Sequence, residues 1–242
     1  MPAPTRLKYF EDTYELEGDA TVVNVLSSAE VGDETLRKAL SKHAAAVVLD
    51  QTLFYAQGGG QPSDIGTLAF GETTFAVRHV FAYQGQVYHQ GDFSAPCAVL
   101  GASAHMCVDR DTRLRNARCH SAGHVIFSVV RHTWHEMHEK KGHHFDDGAY
   151  VEFDGILPAD ESVEAFQKRI DHVVDQHVPV SVRMDQSDGE PLRFVRIGGF
   201  LENPCGGTHV TNTSEIGKIA IRKIARRAGQ NTTKISYRIE SA

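Results

Sequence analysis

The sequence is poor in cysteine and has no long apolar run. Its 242 residues include four cysteines, too few for the disulfide framework of a small secreted protein. No stretch approaches the roughly 18 consecutive apolar residues that a membrane span needs, and the first residues turn acidic without the apolar segment of a signal peptide. We therefore expect a cytoplasmic protein without membrane association, and nothing in the sequence implies an obligate protein partner.

Two common catalytic signatures are also missing. Ser121, not glutamate, follows His120, which excludes the His-Glu-x-x-His motif of zinc proteases. The glycine-rich segment lacks the Gly-Lys-Ser/Thr of a phosphate-binding loop. The formal net charge of −6 argues against broad, non-specific capture of nucleic acid, although it permits an RNA held by a local basic strip.

The first hundred residues predict a small β-barrel-like domain with one helix, which we place at residues 1–104. A helix is predicted from Glu34 to His43, with Asp33 as its N-cap. Short β-branched and aromatic runs, separated by turns rich in Gly and Asp, predict the strands: Thr21–Val25, Ala46–Leu49, Phe75–Val80 and Gln86–His89.

Residues 105–242 predict an α+β domain, an antiparallel sheet with two helices. One helix is expected over Asp111–His138, ended by Gly142, and the other over Asp160–His177, closed by Pro179. The remaining apolar runs predict strands: Tyr150–Phe153, Val180–Met184, Phe194–Ile197, Lys218–Arg226 and Lys234–Ile239.

Two short motifs together indicate a metal site. His120 and His124 are four residues apart, so on a helix they project from one face, close enough to share a metal. Cys205 and His209 flank two glycines and a threonine, which permit a tight loop that turns a thiolate and an imidazole toward one point. Three imidazoles and one thiolate form a ligand set that tetrahedral zinc favours. Either motif alone occurs on a protein surface by chance more often than it forms part of a metal site.

A third motif is the run Gly58–Gly60, followed by Gln61. Successive glycines let a backbone pass close to a ligand and expose amides for hydrogen bonding. A plain turn between strands is the alternative interpretation. Inside the histidine pair, Gly123 is unfavourable for a helix and predicts the close approach of another backbone or of the substrate.

Together the three motifs resemble the AlaX proteins and the editing domain of alanyl-tRNA synthetase. The resemblance runs from about residue 50 to the end of the chain. It rests on these segments: Gly58–Pro62 with Asp64, His120–His124, Lys141–Phe145, Asp147–Glu152, Pro204–Val210, Glu215–Gly217 and Ile221–Ile224.

The resemblance implies a free-standing editing enzyme, which deacylates alanine-specific tRNA charged with the wrong amino acid, chiefly serine and sometimes glycine. It implies that the two metal motifs bind zinc: His120, His124, Cys205 and His209. It also sets the glycine-rich loop near the substrate: Gly59, Gly60 and Gln61. Thr208, within the second metal motif, is a further candidate for contact with the hydroxyl of a seryl substrate. Zinc would then either activate water or hold the 3′ end of the tRNA.

Two alternative functions remain open at this point. The chain could be a zinc-stapled tRNA-binding module without turnover, or it could edit threonine-specific tRNA that carries serine. The amino-acid sequence of the segment Pro204–His209 favours editing of alanine-specific tRNA over editing of threonine-specific tRNA.

Basic residues near the end of the chain are candidates for phosphate contact, since they occur in a run with no acidic residue: Arg222, Lys223 and Arg226. A second basic cluster opens the long predicted helix: Arg110, Arg113, Arg115 and Arg118. Solvated strand and helix faces are the alternative interpretation of both clusters.

Overall fold

A computed structural model describes residues 3–27, 31–40, 45–97, 99–186 and 192–240. The chain divides into two compact units. The first comprises Met1–Gly58 and Pro62–Arg113, and the second comprises Gly59–Gln61 and Leu114–Ala242. The glycine-rich run is therefore divided between the units: Gly58 belongs to the first and Gly59–Gln61 to the second.

The first unit is built around a closed barrel of six antiparallel strands. The strands described in this unit are β1 (Arg6–Leu7), β2 (Glu17–Leu26), β3 (Ala45–Leu49), β4 (Gln51–Thr52), β5 (Gly66–Phe70), β6 (Thr73–Tyr83), β7 (Gln86–Phe93) and β8 (Ser103–Val108). The barrel order is β2-β3-β7-β6-β5-β8, and the short strands β1 and β4 pair in parallel beside it. This confirms a small β-barrel in the first part of the chain.

Alternating side chains fill the barrel. Phe75, Val77 and Val80 of β6 are buried, and a register shift between Val77 and His79 restores the inward direction after one extra residue. Helix α1 (Glu34–Leu40) of this unit is capped as predicted, since the Asp33 carboxylate accepts a hydrogen bond from the Leu36 amide at 2.9 Å. The predicted end of this helix at His43 lies outside the described residues.

The second unit combines two antiparallel sheets with two helices. Its elements are α2 (Arg110–Thr133), β9 (His138–His143), β10 (Tyr150–Asp154), α3 (Val163–Asp175), β11 (Val180–Asp185), β12 (Leu192–Ile197), β13 (Asn203–Pro204), β14 (Lys218–Arg227) and β15 (Thr232–Glu240). One sheet has the order β14-β15-β10-β9 and the other β11-β12-β13. The α+β class is confirmed, with one more sheet than predicted.

Helix α2 is buried along most of its length. Small and apolar residues from Ala117 to Val130 join the core of the second unit, together with Phe166 and Ile170 of α3. Ser162 caps α3, because its side chain accepts a hydrogen bond from the Ala165 amide. A polar side chain carried by the buried part of α2 must therefore find its partners inside the protein.

The predicted end of the long helix is wrong. Helix α2 ends at Thr133 and is followed by a turn over residues 134–137. His138, the last residue of the predicted helix, instead begins β9, which pairs with β10. The Arg131 guanidinium donates to the Met137 carbonyl at 2.8 Å and also to the His135 carbonyl, so it supports the turn that follows the helix. Gly142 does not stop a helix, since it lies within β9.

The predicted domain boundary between residues 104 and 105 falls within strand β8. The strand pairs with β2 on both sides of that position and with β5 from His105 onward, so a cut there would divide a barrel strand. The compact units instead change after Arg113, within the first turn of α2.

Among the described residues, no helix is both long enough and apolar enough to cross a membrane.

Candidate metal centre

Helix α2 supplies two of the predicted ligands from its buried face. His120 and His124 stand one turn apart, and their rings stack with centroids 5.0 Å apart. Only 2% of His120 and 7% of His124 is exposed. Two polar rings in the interior of a protein are unfavourable unless their nitrogens are satisfied.

The loop after β13 supplies the other two predicted ligands. Arg193 of β12 holds this loop, because its buried guanidinium donates to the carbonyls of Cys205 at 3.0 Å and Gly207 at 2.7 Å. The Val210 amide donates to the Ser121 hydroxyl of α2 at 3.1 Å, which ties the end of the loop to the helix. Both ends of the segment that carries Cys205 and His209 are therefore fixed.

The four side chains converge. The potential ligand atoms of His120, His124, Cys205 and His209 all lie within 4.8 Å of one another. The Cys205 sulfur is 3.4 Å from Nε2 of His124 and 3.5 Å from Nε2 of His120. Three nitrogens and one sulfur fit the tetrahedral donor set of zinc. The group could therefore hold a metal ion.

Burial sets the protonation of these groups. It lowers the pKa of His124 to about 3 and the pKa values of His120 and His209 well below the ordinary range, so the imidazoles are neutral and can offer lone pairs. Burial also raises the pKa of the Cys205 thiol to about 11, opposed by the hydrogen bond from the Gly207 amide. A metal would have to displace the thiol proton, since the thiolate is the ligand.

Gln61 orients His120, one of the four candidate ligands. Its Oε1 accepts hydrogen bonds from Nδ1 of His120 at 2.7 Å and from the Thr208 amide at 3.1 Å, and its Nε2 donates to the Thr208 hydroxyl at 2.9 Å. With Nδ1 donating, the lone pair of His120 is on Nε2, which faces the cluster. Gln61 and Thr208 are both 0% exposed. Their polar atoms are thus directed at each other and at His120.

Two glycines allow rings to approach the backbone. A Cβ at Gly207 would lie 2.1 Å from the His120 ring, and a Cβ at Gly123 would lie 2.3 Å from Cε1 of His144. The close neighbour predicted for Gly123 exists, but it is the His144 ring, not another backbone. Glycine at these positions therefore permits the packing of the histidines.

His144 extends the cluster. Its ring stacks on His120 with centroids 4.4 Å apart, and its Nδ1 lies 2.7 Å from the Tyr237 hydroxyl, which donates to the Cys119 carbonyl at 2.9 Å. Burial lowers the pKa of His144 to about 4. Tyr237 and Arg193 were not singled out from the sequence, since neither lies in a motif.

A pocket with a volume of about 760 Å³ opens beside the four-residue group. Its lining includes His120, His124 and Cys205, the backbone of the glycine-rich loop, a basic edge and one carboxylate: Gly59, Gly60, Arg131, Lys140, Lys141 and Glu139. Burial raises the pKa of Glu139, opposed by the hydrogen bond from Asn203. The pocket therefore combines potential metal ligands with groups of both charges.

The predicted phosphate contacts have different surroundings. Arg222 and Lys223 are exposed on β14. The Arg226 guanidinium donates to the carbonyls of Leu157 at 2.9 Å and Pro158 at 2.7 Å, so it anchors the segment that precedes α3. It also donates to the carbonyl of Glu161.

Arg113 corrects the interpretation of the second basic cluster. It is 0% exposed and donates to the buried Asp64 carboxylate, to Leu53 and to Thr13. It cannot contact a phosphate in this position.

These observations define a class: a protein with a barrel unit and an α+β unit that contains three buried histidines and one half-buried cysteine beside a pocket. Two family models match the chain, "tRNA synthetases class II (A)" over residues 3–112 and "Threonyl and Alanyl tRNA synthetase second additional domain" over residues 192–240.

Curated relatives agree with these matches. The chain is 26% identical to the alanyl-tRNA editing protein AlaX-L of Pyrococcus horikoshii, over 95% of this chain and 56% of the relative. It is 29% identical to the alanine–tRNA ligase of Korarchaeum cryptofilum and 31% identical to that of Thermofilum pendens, covering 97% and 90% of this chain but 26% and 24% of the ligases. The resemblance to the AlaX family is therefore confirmed, and the chain spans about half of AlaX-L and about a quarter of each ligase.

Proposed function

We propose that this protein is an editing hydrolase, which deacylates alanine-specific tRNA charged with serine and, as a second substrate, glycine. The observation that carries the proposal is the group of His120, His124, Cys205 and His209, three members of which line a 760 Å³ pocket, in a relative of an alanyl-tRNA editing protein. The pocket has room for an aminoacyl group and part of the terminal nucleotide.

We propose that His120, His124, Cys205 and His209 hold one zinc ion. When bound, zinc would supply either a Lewis acid for the ester and its attacking water or a fixed anchor for the 3′ end. Four protein ligands fill a tetrahedral shell, which favours the anchoring role.

The roles of the loop residues follow from their contacts. Gly59 and Gly60 line the pocket, and a Cβ at Gly60 would lie 2.3 Å from the Gly142 carbonyl. These two positions thus form a wall of backbone against which the aminoacyl end can lie. Gln61 and Thr208 act in this proposal through His120 and the ligand loop, because their polar atoms are already bonded there.

The tRNA partner would be held by positive charge. Lys141 at the edge of the pocket suits the terminal phosphates, and the exposed Arg222 and Lys223 suit phosphates farther along the acceptor stem. Arg131 and Lys140 lie at the same edge, but they already bond backbone carbonyls and Asp154, respectively. Arg226 is the weakest of the three predicted contacts on β14, since its guanidinium is occupied by backbone carbonyls.

The deciding experiment is hydrolysis of purified alanine-specific tRNA charged separately with serine, glycine and alanine. We expect the seryl ester to be cleaved fastest and the alanyl ester to be spared. Equal rates for seryl and alanyl esters would make the chain a general esterase and reject editing. Tight binding without hydrolysis would support the zinc-stapled binding module instead.

A fourth substrate separates the two tRNA systems. One matching family model is described for both threonyl and alanyl enzymes. Threonine-specific tRNA charged with serine should therefore be included in the same assay. Preferential cleavage of this substrate would transfer the proposed function to threonine-specific tRNA.

A further inference from the structure

His144 presents an unused acceptor atom to the pocket. The single hydroxyl hydrogen of Tyr237 is donated to the Cys119 carbonyl, so the contact between Tyr237 and His144 must use the hydrogen on Nδ1 of His144. The lone pair of His144 is then on Nε2. Within the described part of the chain, the hydrogen bonds of the His144 ring involve Nδ1 and none involves Nε2. His144 lines the pocket, so this acceptor faces the pocket without a partner.

Glu139 presents a second acceptor. Its Oε2 accepts a hydrogen bond from the Asn203 amide at 3.1 Å, and no described residue donates to its Oε1. The side chain is largely withdrawn from water, and it lines the same pocket. A carboxylate in such a place is costly unless a donor or a cation completes its shell.

Gly142 brings the two acceptors together. A Cβ built on Gly142 would stand 2.5 Å from Nε2 of His144 and 3.4 Å from Oε1 of Glu139, so the two atoms can be no farther apart than the sum of these distances. Any larger residue at 142 would cover both atoms. The recess formed by Glu139, Gly142 and His144, hereafter the acceptor recess, is therefore open only because position 142 has no side chain.

We propose that the acceptor recess binds the α-ammonium group of the aminoacyl ester. An ammonium group offers several donors and a positive charge, which match one neutral nitrogen acceptor and one carboxylate. The other charged groups of the pocket edge, Arg131, Lys140 and Lys141, are basic, so the recess is the part of the pocket that favours a cation. This inference rests on the proposed function and specifies which part of its substrate is recognised.

The test uses a stable amide analogue of the tRNA terminus, 3′-deoxy-3′-(L-serylamino)adenosine, and its N-acetyl derivative. Binding to the zinc-loaded full chain is measured by calorimetry for wild type and Glu139→Gln. We expect wild type to prefer the free amine by about tenfold or more, because acetylation removes a charge-assisted hydrogen bond. Glu139→Gln should lose most of this preference and bind the acetylated analogue as wild type does.

Glu136→Gln is the matched control, since Glu136 is exposed nearby and does not line the pocket. It should retain the wild-type preference. Equal binding of both analogues by wild type would overturn the recess, and so would a preference that Glu139→Gln leaves unchanged. Because no hydrolysis is required, a retained preference together with absent deacylation would reject the editing activity while keeping the ammonium site.

Discussion

At the residue scale, the candidate centre depends on which nitrogen each imidazole directs inward. Gln61 accepts from Nδ1 of His120 and thereby leaves Nε2 for the cluster. The same side chain also bonds the Thr208 amide and hydroxyl, so one glutamine links His120 on α2 to the loop that carries Cys205 and His209. Loss of this side chain should loosen two ligand-bearing segments at once.

Gln61→Ala should therefore weaken zinc binding about ten- to a hundredfold, the usual cost of removing a residue that orients a metal ligand. Competition with a chromophoric chelator measures this affinity. Gln57→Ala is the matched control, because Gln57 is exposed in the same segment. If the affinity of Gln61→Ala equals that of wild type, Gln61 does not act through His120 and a direct substrate contact becomes the better explanation.

Cys205→Ala tests the donor set itself. Wild type should contain about one zinc per chain, and the variant should lose most of it, because three imidazoles without the thiolate hold the ion less tightly. Elemental analysis of the purified proteins gives the answer. Cys97→Ala, which alters an exposed cysteine, should retain its zinc. Undiminished zinc in Cys205→Ala would mean that the ion is held elsewhere.

Sequence motifs predicted the residues that converge and named Gln61 and Thr208 as candidate substrate contacts, but they did not predict that these two side chains bond each other and His120. The two motifs are detectable because each is short, whereas Gln61 and Thr208 meet across 147 positions and His144 and Tyr237 across 93. No local pattern reports such contacts. Burial is equally hidden, which is why Arg113, a phosphate candidate by sequence, proves to be the buried partner of Asp64.

At the element scale, α2 shows tertiary structure overriding helix propensity. Nothing in the sequence after Thr133 forbids a helix, yet pairing with β10 converts His138–His143 into a strand. The same helix tolerates Gly123, which costs about 1 kcal/mol of helix propensity relative to alanine. The ring of His144 occupies the space that a side chain would need.

Gly123→Ala should consequently destabilise the protein, although alanine is the better helix former. Its Cβ would lie 2.3 Å from His144, and relieving such overpacking typically costs about 1–3 kcal/mol. Thermal unfolding of the zinc-loaded protein measures the effect. A Cβ at Gly229 meets nothing within 4 Å, so Gly229→Ala should leave the melting temperature nearly unchanged. A stabilised Gly123→Ala would contradict the packing described for His144.

Strand β7 gives the barrel an acid-sensitive group. His89 is 0% exposed, its Nδ1 donates to the Val47 carbonyl at 3.0 Å, and its Nε2 is 2.7 Å from the Thr52 hydroxyl. Burial lowers the pKa of His89 from 6.5 to about 4. Between these values the unfolded chain binds a proton that the folded barrel does not, so stability is full above pH 6.5 and falls as the pH drops toward 4.

The His89 contribution should amount to roughly 3 kcal/mol over this pH range. Denaturant unfolding of wild type and His89→Gln at several pH values isolates it, because other buried histidines affect both proteins alike. We expect a flatter pH dependence for His89→Gln. Parallel curves for the two proteins would mean that His89 is protonated in the folded state as readily as in the unfolded one.

At the scale of the whole molecule, the order of elements was largely predictable and their pairing was not. Alternating apolar residues predicted barrel strands such as Phe75–Val80, which lie within β6. Strands β5 and β8 were missed, and yet they close the barrel. Closure depends on hydrogen bonds between distant segments, for which single-chain periodicity carries no signal.

The net charge of the molecule also bears on its partner. At −6, the chain repels nucleic acid on average, so the proposed tRNA partner would have to be attracted by local clusters. Arg222 and Lys223 form such a cluster on β14, as two exposed neighbours. Arg226 differs from them, because its guanidinium bonds backbone carbonyls before α3.

Replacing Arg222 and Lys223 together with alanine should therefore weaken tRNA binding and flatten its dependence on salt. Each phosphate contact on a single-stranded or duplex region contributes about 0.7 to 0.9 to the slope of log affinity against log salt, so the slope should fall by up to twice that amount. Filter binding from low to moderate salt measures it.

Two single variants serve as controls. Lys168→Ala, which alters an exposed lysine on α3, should leave the salt slope unchanged. Arg226→Ala should lower the melting temperature and leave the salt slope close to that of wild type. If the double variant keeps the wild-type slope, the RNA is held by another surface, and the basic edge of the pocket is the next set of residues to replace.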